Sequence, residues 1–128
     1  MVRPPTLCAV AEDTQHRLLA EDGRVLLDRV RFARSLRTRT RGLLGRTELE
    51  PGEALAFQER AVHMFFMRMA LDVVFCDGQL RVLKVARRLR PWRVSGTLRG
   101  RVVLELGPGD AERLGIAPGD RLRLEPPA

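Results

Sequence analysis

The sequence of 128 residues is poor in the residue types from which most recognisable sites are built. It has no tyrosine, one tryptophan, two histidines and two cysteines. Two histidines leave little material for a Ser-His-Asp or Cys-His catalytic site, or for a metal site. Cys8 and Cys76 lie far apart and fit neither CxxC nor zinc-ligand spacing, so we expect two reduced, partly buried thiols. The sequence therefore predicts no metal and no cofactor.

Long apolar segments and an export signal are also missing. The longest apolar stretch, 61–76, is broken by Arg68 and Asp72, and it is too short and too charged to span a bilayer. The first 15 residues, MVRPPTLCAVAEDTQ, lack the apolar run of a signal peptide. We therefore expect a cytoplasmic protein without a transmembrane segment.

Charge is abundant, and most of the positive charge is arginine. Lys and Arg total 23 against 16 Asp and Glu, which gives a formal net charge of +7, and Lys84 is the single lysine. This excess suggests either recognition of anions by guanidinium groups or surface arginines favoured by codon usage. With 45% hydrophobic and 30% charged residues, the chain is long enough to form one stable domain over 1–128.

Segments of alternating apolar residues predict a mainly β protein. An amphipathic helix is expected from Ser35 to Gly45, and a one-turn helix capped by Asp110 and ended by Gly115 is expected near the C-terminus. Because such a short helix between strands is typical of small barrels, the predicted fold class is α+β, mainly β, and barrel-like, with residues 1–14 as a loose or edge segment. Strands are predicted over 26–33, 54–57, 71–76, 80–85 and 102–106 and around Leu122 and Leu124, with 86–101 as a long loop or irregular edge.

The clearest local signal is the dipeptide Asp77-Gly78 between two runs of apolar β-formers. Asp-Gly is typical of two-residue hairpin turns, because both central positions of such turns have positive φ. That turn would pair Phe75 with Leu80 and Val73 with Val82. Asp72 would then lie on the opposite, half-apolar face, where a carboxylate needs partners such as nearby arginines.

Catalytic candidates are few. His63 lies beside a predicted core strand, with Asp72 and Cys76 downstream, so an enzyme with His63 and Asp72 as acid and base is one alternative. A structural, hydrogen-bonded histidine accounts for the same position. Carboxylates such as Asp72 and Glu105 are equally explained as arginine partners.

A nucleic-acid-binding surface is the other alternative. Single-strand binders combine arginines with aromatic side chains that stack on bases, and the segment RRLRPWR supplies both around Trp92. The phenylalanines are expected in or next to core strands, which leaves a single aromatic ring for stacking. The candidate residues are Arg37, Arg41, Arg87, Arg88, Arg90, Arg93 and Trp92.

At the segment AVHMFFMRMALDVVFCDGQLRVL the sequence reaches a recognisable pattern. The chain resembles the small bacterial and archaeal family known as domain of unknown function number 192, over about residues 26–125. This chain has alanine at position 70, where the family often has proline. The motifs that carry the resemblance are Arg41-Gly42-Leu43-Leu44, His63 with Met67-Arg68, Leu71-Asp72-Val73-Val74-Phe75, Pro91-Trp92, Val103-Leu104-Glu105-Leu106, and Gly115-Ile116 with Gly119-Asp120.

The resemblance implies a compact, mainly β domain without an established reaction or cofactor. Many relatives look exported, and some accompany pilus or secretion systems, whereas this chain lacks an apparent export signal. We therefore expect a small non-enzymatic binding or accessory domain that recognises a small ligand or a protein partner through a pocket around His63, Arg68 and Asp72. A buried structural network explains the same residues equally well. The residues that the resemblance marks are Arg41, His63, Met67, Arg68, Asp72, Trp92 and Glu105.

Overall fold

The computed structural model describes residues 15–33 and 46–126, and the structural statements below refer to this part of the chain. The predicted helix at 35–45, Arg37, Arg41 and Cys8 lie outside it. The described elements are β1 (Gln15–Ala20), β2 (Val25–Ala33), β3 (Glu53–Phe57), β4 (Ala61–His63), β5 (Leu71–Cys76), β6 (Val82–Leu89), β7 (Val94–Gly96), β8 (Val102–Leu106), α1 (Asp110–Leu114) and β9 (Leu122–Glu125).

Seven strands form one sheet in the order β6-β5-β8-β3-β2-β1-β9, and β4 and β7 form a second, two-stranded sheet. Within the large sheet β2 and β3 are parallel and the other neighbours are antiparallel. Next to its two edge strands, β6 and β9, an isolated bridge pairs Arg81 with Arg121, and backbone hydrogen bonds join Val82 to Asp120 and Leu122 to Leu80. The mainly β class is confirmed, whereas the described strands form no closed barrel. No helix within 15–33 or 46–126 is long and apolar enough to cross a membrane.

The sheet carries an apolar core on each face. The first core is formed by side chains such as Phe32, Leu104 and Leu106, together with Ile116 from the segment after α1. The second core contains Phe75 and Val103 from the sheet and is covered by four side chains of the segment 62–69. Because β5 and β8 are buried on both faces, their sequences are almost continuously apolar instead of alternating. The covering side chains are Val62, Met64, Met67 and Met69.

The hairpin between β5 and β6 is present, but the predicted two-residue turn is wrong. The connection runs from 77 to 81, and Phe75 pairs with Lys84, not with Leu80. The Asp77 carboxylate accepts the backbone N–H groups of Gln79 and Arg81 at 2.8 and 3.0 Å, which stabilises a longer loop. Leu80 adopts a φ of 61° and turns its side chain into the first core.

The basic segment predicted as a loop contains more strand than expected. β6 continues to Leu89, and β7 pairs with β4 from Ala61 opposite Gly96 to His63 opposite Val94. This pairing brings the turn around Trp92 against the segment that follows β4 and thereby forms the surface described next.

Candidate functional site

The sheet separates the two predicted carboxylates. Asp72 and Glu105 are both fully buried, on the neighbouring strands β5 and β8. Asp72 is in register with Leu106, a first-core residue, whereas Glu105 is in register with Val73, a second-core residue. Since side chains alternate along a strand, the two carboxylates point to opposite faces. The structure therefore does not combine them into one polar pocket.

Asp72 holds two pieces of backbone together. Its Oδ1 accepts the N–H of Arg88 at 2.8 Å, and its Oδ2 accepts the N–H of Ala111 at 2.9 Å. The first bond fixes an irregular position of β6, where Arg88 has a φ of 51°. The second bond gives an acceptor to a backbone N–H in the first turn of α1. The N-cap of this helix is Gly109 and not the predicted Asp110, and Gly109 has no side chain that could accept the N–H. Asp72 of β5 thus caps the N-terminus of α1.

Met67 and Cys76 are likewise core residues. Met67 is 7% exposed and belongs to the second core, and Cys76 has no exposed surface and belongs to the first core. Burial, and secondarily the negative charge of Asp77, raises the pKa of the Cys76 thiol to about 12. A thiol held so far from ionisation is a poor nucleophile at neutral pH, which argues against a catalytic role.

The other predicted residues around β4 are exposed and lie among aromatic rings. His63 stacks on Phe65 with ring centroids 4.6 Å apart, and Trp92 contacts Phe65 at 5.8 Å and Phe66 at 4.8 Å. The exposed fractions are 42% for Phe65, 68% for Phe66 and 58% for Trp92. We call these four residues, His63, Phe65, Phe66 and Trp92, the aromatic patch.

The backbone presents these rings to solvent in a strained conformation. Phe66 and Trp92 have φ values of 65° and 69°, in the left-handed region that bulky residues rarely occupy. Two hydrogen bonds of 2.7 Å hold the Trp92 turn, from Trp92 N to the Met64 carbonyl and from Met64 N to the Arg93 carbonyl, and a bond of 3.3 Å from Met67 N to the Met64 carbonyl closes the turn that contains Phe66. Because the side chain of Met64 is buried in the second core, the loop that carries the rings is anchored to the fold.

A shallow groove of about 510 Å³ lies on the two-stranded sheet of β4 and β7, beside the aromatic patch. His63, Phe65 and Val94, which is 65% exposed, are among the residues that line it. A larger depression of about 680 Å³, between the start of β2 and the segment 47–52, contains none of the predicted site residues. Of the predicted site residues, His63 lines the groove between Ala61 and Gly96, whereas Trp92, Arg68, Arg90 and Arg93 do not.

Only some of the predicted arginines belong to this surface. Arg90 and Arg93 flank Trp92 in the turn between β6 and β7, and Arg68 follows the Phe66 loop; all three are exposed. Arg87, by contrast, lies near Glu112 at 3.9 Å, and the guanidinium of Arg88 lies over Gly109. The structure therefore brings His63, Trp92, Arg90 and Arg93 together, and leaves the buried carboxylates and Arg88 apart from them.

Sequence reasoning missed Phe65 and Phe66, which were expected in or next to the core. The apolar run 61–67 suggested burial, yet the fold uses Val62, Met64 and Met67 to cover the second core. Phe65 and Phe66 lie in a turn after β4, in which Phe66 has a φ of 65°, and both rings are exposed. Strand alternation would place Phe66 on the side of Val62 and Met64, so this pattern does not predict its exposure.

Comparison with known proteins assigns the family. The profile of the family DUF192, described as Uncharacterized ACR, COG1430, matches residues 17–124. The chain belongs to the DUF192 family. A relative, a UPF0127 protein of Thermococcus sibiricus, is 32% identical over 113 residues, and the match covers 80% of this chain and 70% of the relative. The predicted resemblance is confirmed, and this family is one without a characterised function.

Two solved structures share the DUF192 fold seen here. One, from Sinorhizobium meliloti, is described as a "putative transcription regulator"; it is 25% identical, with a TM-score of 0.74, and the match covers 91% of this chain and 98% of that one. The other, a protein of unknown function from Novosphingobium aromaticivorans, is 27% identical, with a TM-score of 0.72 and coverage of 90% and 94%. The arrangement of strands described above is therefore found in related proteins.

Proposed function

We propose that this protein is a non-enzymatic binding domain that holds an anionic partner on the aromatic patch and the arginines beside it. The observation that carries this proposal is that the Trp92 ring contacts the rings of both Phe65 and Phe66 and that all three rings are exposed. Contiguous exposed apolar surface on a soluble domain is typical of an interaction site.

The energetics of the fold support a binding role for these rings. Each left-handed non-glycine residue costs about 1–2 kcal/mol, and this cost applies at both Phe66 and Trp92. Burying a large apolar side chain contributes about 1.5–3 kcal/mol, most of which an exposed ring does not provide. The patch therefore costs folding free energy with little return in packing, a pattern that is characteristic of functional sites.

The charges around the patch support an anionic partner. Arg68, Arg90 and Arg93 are exposed and form no ion pair with any residue of the described part of the chain. The sequence between 78 and 104 contains no acidic residue, although it contains Lys84 and seven arginines. Such an unbalanced positive surface attracts anions and disfavours cationic partners.

The two other predicted functions receive less support. The alternative of an acid–base enzyme with His63 and Asp72 is weakened, because Asp72 is fully buried and both of its oxygens accept backbone N–H groups. For the same reason Asp72 does not line a small-ligand pocket with His63 and Arg68. A role beside a pilus or secretion system stays a prediction, which the identity of the neighbouring genes would test. The name of the Sinorhizobium meliloti structure, a "putative transcription regulator", is compatible with a binding function.

Trp92 provides a direct test, because it is the single tryptophan of the chain and belongs to the patch. The protein would be titrated with poly-L-glutamate and, separately, with a 12-nucleotide oligodeoxythymidine while tryptophan fluorescence is recorded. We expect a saturable change with at least one polyanion, weakened by Arg93→Gln and not by Arg24→Gln, which removes an exposed arginine outside the patch. The absence of any change with both polyanions would overturn the proposal.

A further inference from the structure

We infer that the anionic partner is a single-stranded nucleic acid, whose bases stack on Phe66 and Trp92 and whose phosphates contact Arg90 and Arg93. This inference rests on the proposed binding function and specifies the chemical class of the partner. Its basis is that exposed ring faces and exposed arginines occur together, since Arg90 and Arg93 belong to the same turn as Trp92. Each component alone would fit other partners.

The rings favour bases over acidic peptides. The planes of Phe66 and Trp92 are inclined by 58° at a centroid distance of 4.8 Å, so the two rings meet tilted and do not cover each other's faces. Phe66 is 68% exposed and Trp92 is 58% exposed, which leaves ring surface available to a flat partner. Nucleobases offer such flat π surfaces, whereas aspartate and glutamate side chains would engage the arginines and leave the rings in water.

The arginines are in position for a backbone that passes the rings. Arg93 follows Trp92 directly, and its carbonyl accepts the N–H of Met64, which ties it to the loop that carries Phe66. Arg90 is bound into the same turn, because its carbonyl accepts the N–H of Arg93 at 3.2 Å. Guanidinium groups bind phosphate oxygens through planar, paired N–H donors, and these groups have no competing carboxylate in the described structure.

A single strand fits better than a duplex. In a duplex the base faces are stacked on one another, so exposed protein rings find no free π surface. Reading a duplex through its major groove commonly uses a helix or a two-stranded ribbon that carries polar side chains. Within the described residues the helix α1 has five residues, and the ribbon formed by β4 and β7 carries the apolar groove. The surface therefore matches unpaired bases.

The inference is tested by the binding of fluorescein-labelled 12-nucleotide oligodeoxythymidine and oligouridine to the full chain, measured by fluorescence anisotropy. We expect Phe66→Ala to weaken binding by about 5- to 150-fold, the range measured for loss of one stacking contact. The matched control is Val25→Ala, which truncates a 46% exposed apolar residue at the start of β2 and should leave the affinity unchanged. Urea midpoints of both variants would show that they are folded.

Salt dependence gives an independent measurement. If Arg90 and Arg93 contact two phosphates, the slope of log K against log salt is about −1.4, so an increase from 50 to 200 mM NaCl weakens binding by about 7-fold. The Arg90→Gln and Arg93→Gln variants should each reduce the magnitude of that slope by about 0.7. An unchanged slope in both variants would show that the strand binds elsewhere and would overturn the inference.

Competition separates this inference from the proposed function. If poly-L-glutamate changes Trp92 fluorescence but neither oligonucleotide binds, the binding surface stands and the partner is an acidic protein segment, so the inference fails. If no polyanion binds, both fail. A duplex of the same length that binds as tightly as the single strand would also refute the inference. Single-strand binding that is lost in Phe66→Ala and retained in Val25→Ala supports both the nucleic-acid inference and the proposed binding function.

Discussion

Replacing Asp72 by alanine tests whether this buried carboxylate acts as a structural cap. The substitution removes two hydrogen bonds, to the N–H groups of Arg88 and Ala111, at 2.8 and 2.9 Å. Hydrogen bonds to charged groups contribute about 1.5–3 kcal/mol each, and a buried donor left without a partner costs a similar amount. The Ala111 N–H is buried, whereas the Arg88 N–H is only partly buried and can recruit water. We therefore expect Asp72→Ala to destabilise the protein by about 3–5 kcal/mol.

Urea unfolding followed by circular dichroism measures this loss. With an m-value of about 1.5 kcal/mol/M, the midpoint should fall by about 2–3 M. Hydrogen exchange provides local resolution, because the amides of Arg88 and Ala111 should lose protection more than the amides at the centre of β8. Asp72→Asn should be nearly as destabilising as alanine, since its amide nitrogen directs a donor at one of the two N–H groups.

The matched control is Asp77→Ala. Asp77 also accepts two backbone N–H groups, at 2.8 and 3.0 Å, but it does so in an exposed turn where water can replace the carboxylate. Its loss should cost about 1 kcal/mol, similar to the loss of a helix cap. If Asp72→Ala were no more destabilising than Asp77→Ala, the structural role assigned to the buried carboxylate would be wrong.

Three further predictions concern other features of the fold. In a Cys8→Ser background, Cys76 should react with Ellman's reagent only after unfolding. Because the pKa of Cys76 is raised from 9.0 to about 12 in the folded protein, the free energy of unfolding should fall by about 1.4 kcal/mol per pH unit between pH 9.0 and 12. The Cys76→Ala variant should lack this contribution to the slope. Gly96→Ala would bring a Cβ within 2.7 Å of the Ala61 Cβ, so thermal unfolding should show a loss of about 1–3 kcal/mol, whereas Gly78→Ala, with open space around it, should be nearly neutral. Phe66→Gly should be about 1 kcal/mol more stable than Phe66→Ala in urea, because glycine tolerates a φ of 65°, and equal stability would contradict the assigned strain.

Several elements were predictable because their signals are local. β5 and β8 have the predicted bounds, Leu71–Cys76 and Val102–Leu106, and α1 ends at Gly115 as expected. Continuous apolar β-formers specify a buried strand, and glycine in the left-handed conformation ends a helix, whatever surrounds them. The family was predictable for a related reason, since the order of its short motifs can be read along the chain.

The hairpin register and the first strand were not predictable. The Asp77-Gly78 dipeptide favours a two-residue turn, but the carboxylate of Asp77 and the burial of Leu80 stabilise a longer one. β1 lies between the predicted loose segment 1–14 and the first predicted strand, where no strand was expected, and it forms because β2 and β9 lie on either side of it. Pairing partners so distant in sequence contribute nothing to local propensity.

The sequence by itself determined the family, the mainly β class and the positions of the most apolar strands, because these depend on composition and on the spacing of neighbouring residues. Only the tertiary structure decided the use of the polar and aromatic residues. Asp72 and Glu105 point to opposite faces because β5 and β8 pair in one particular register. Phe65 and Phe66 meet Trp92 in solvent because β4 pairs with β7 and because the chain leaves β4 through a turn in which Phe66 is left-handed. Such contacts between distant segments arise from the pairing of whole strands, which local sequence patterns do not specify.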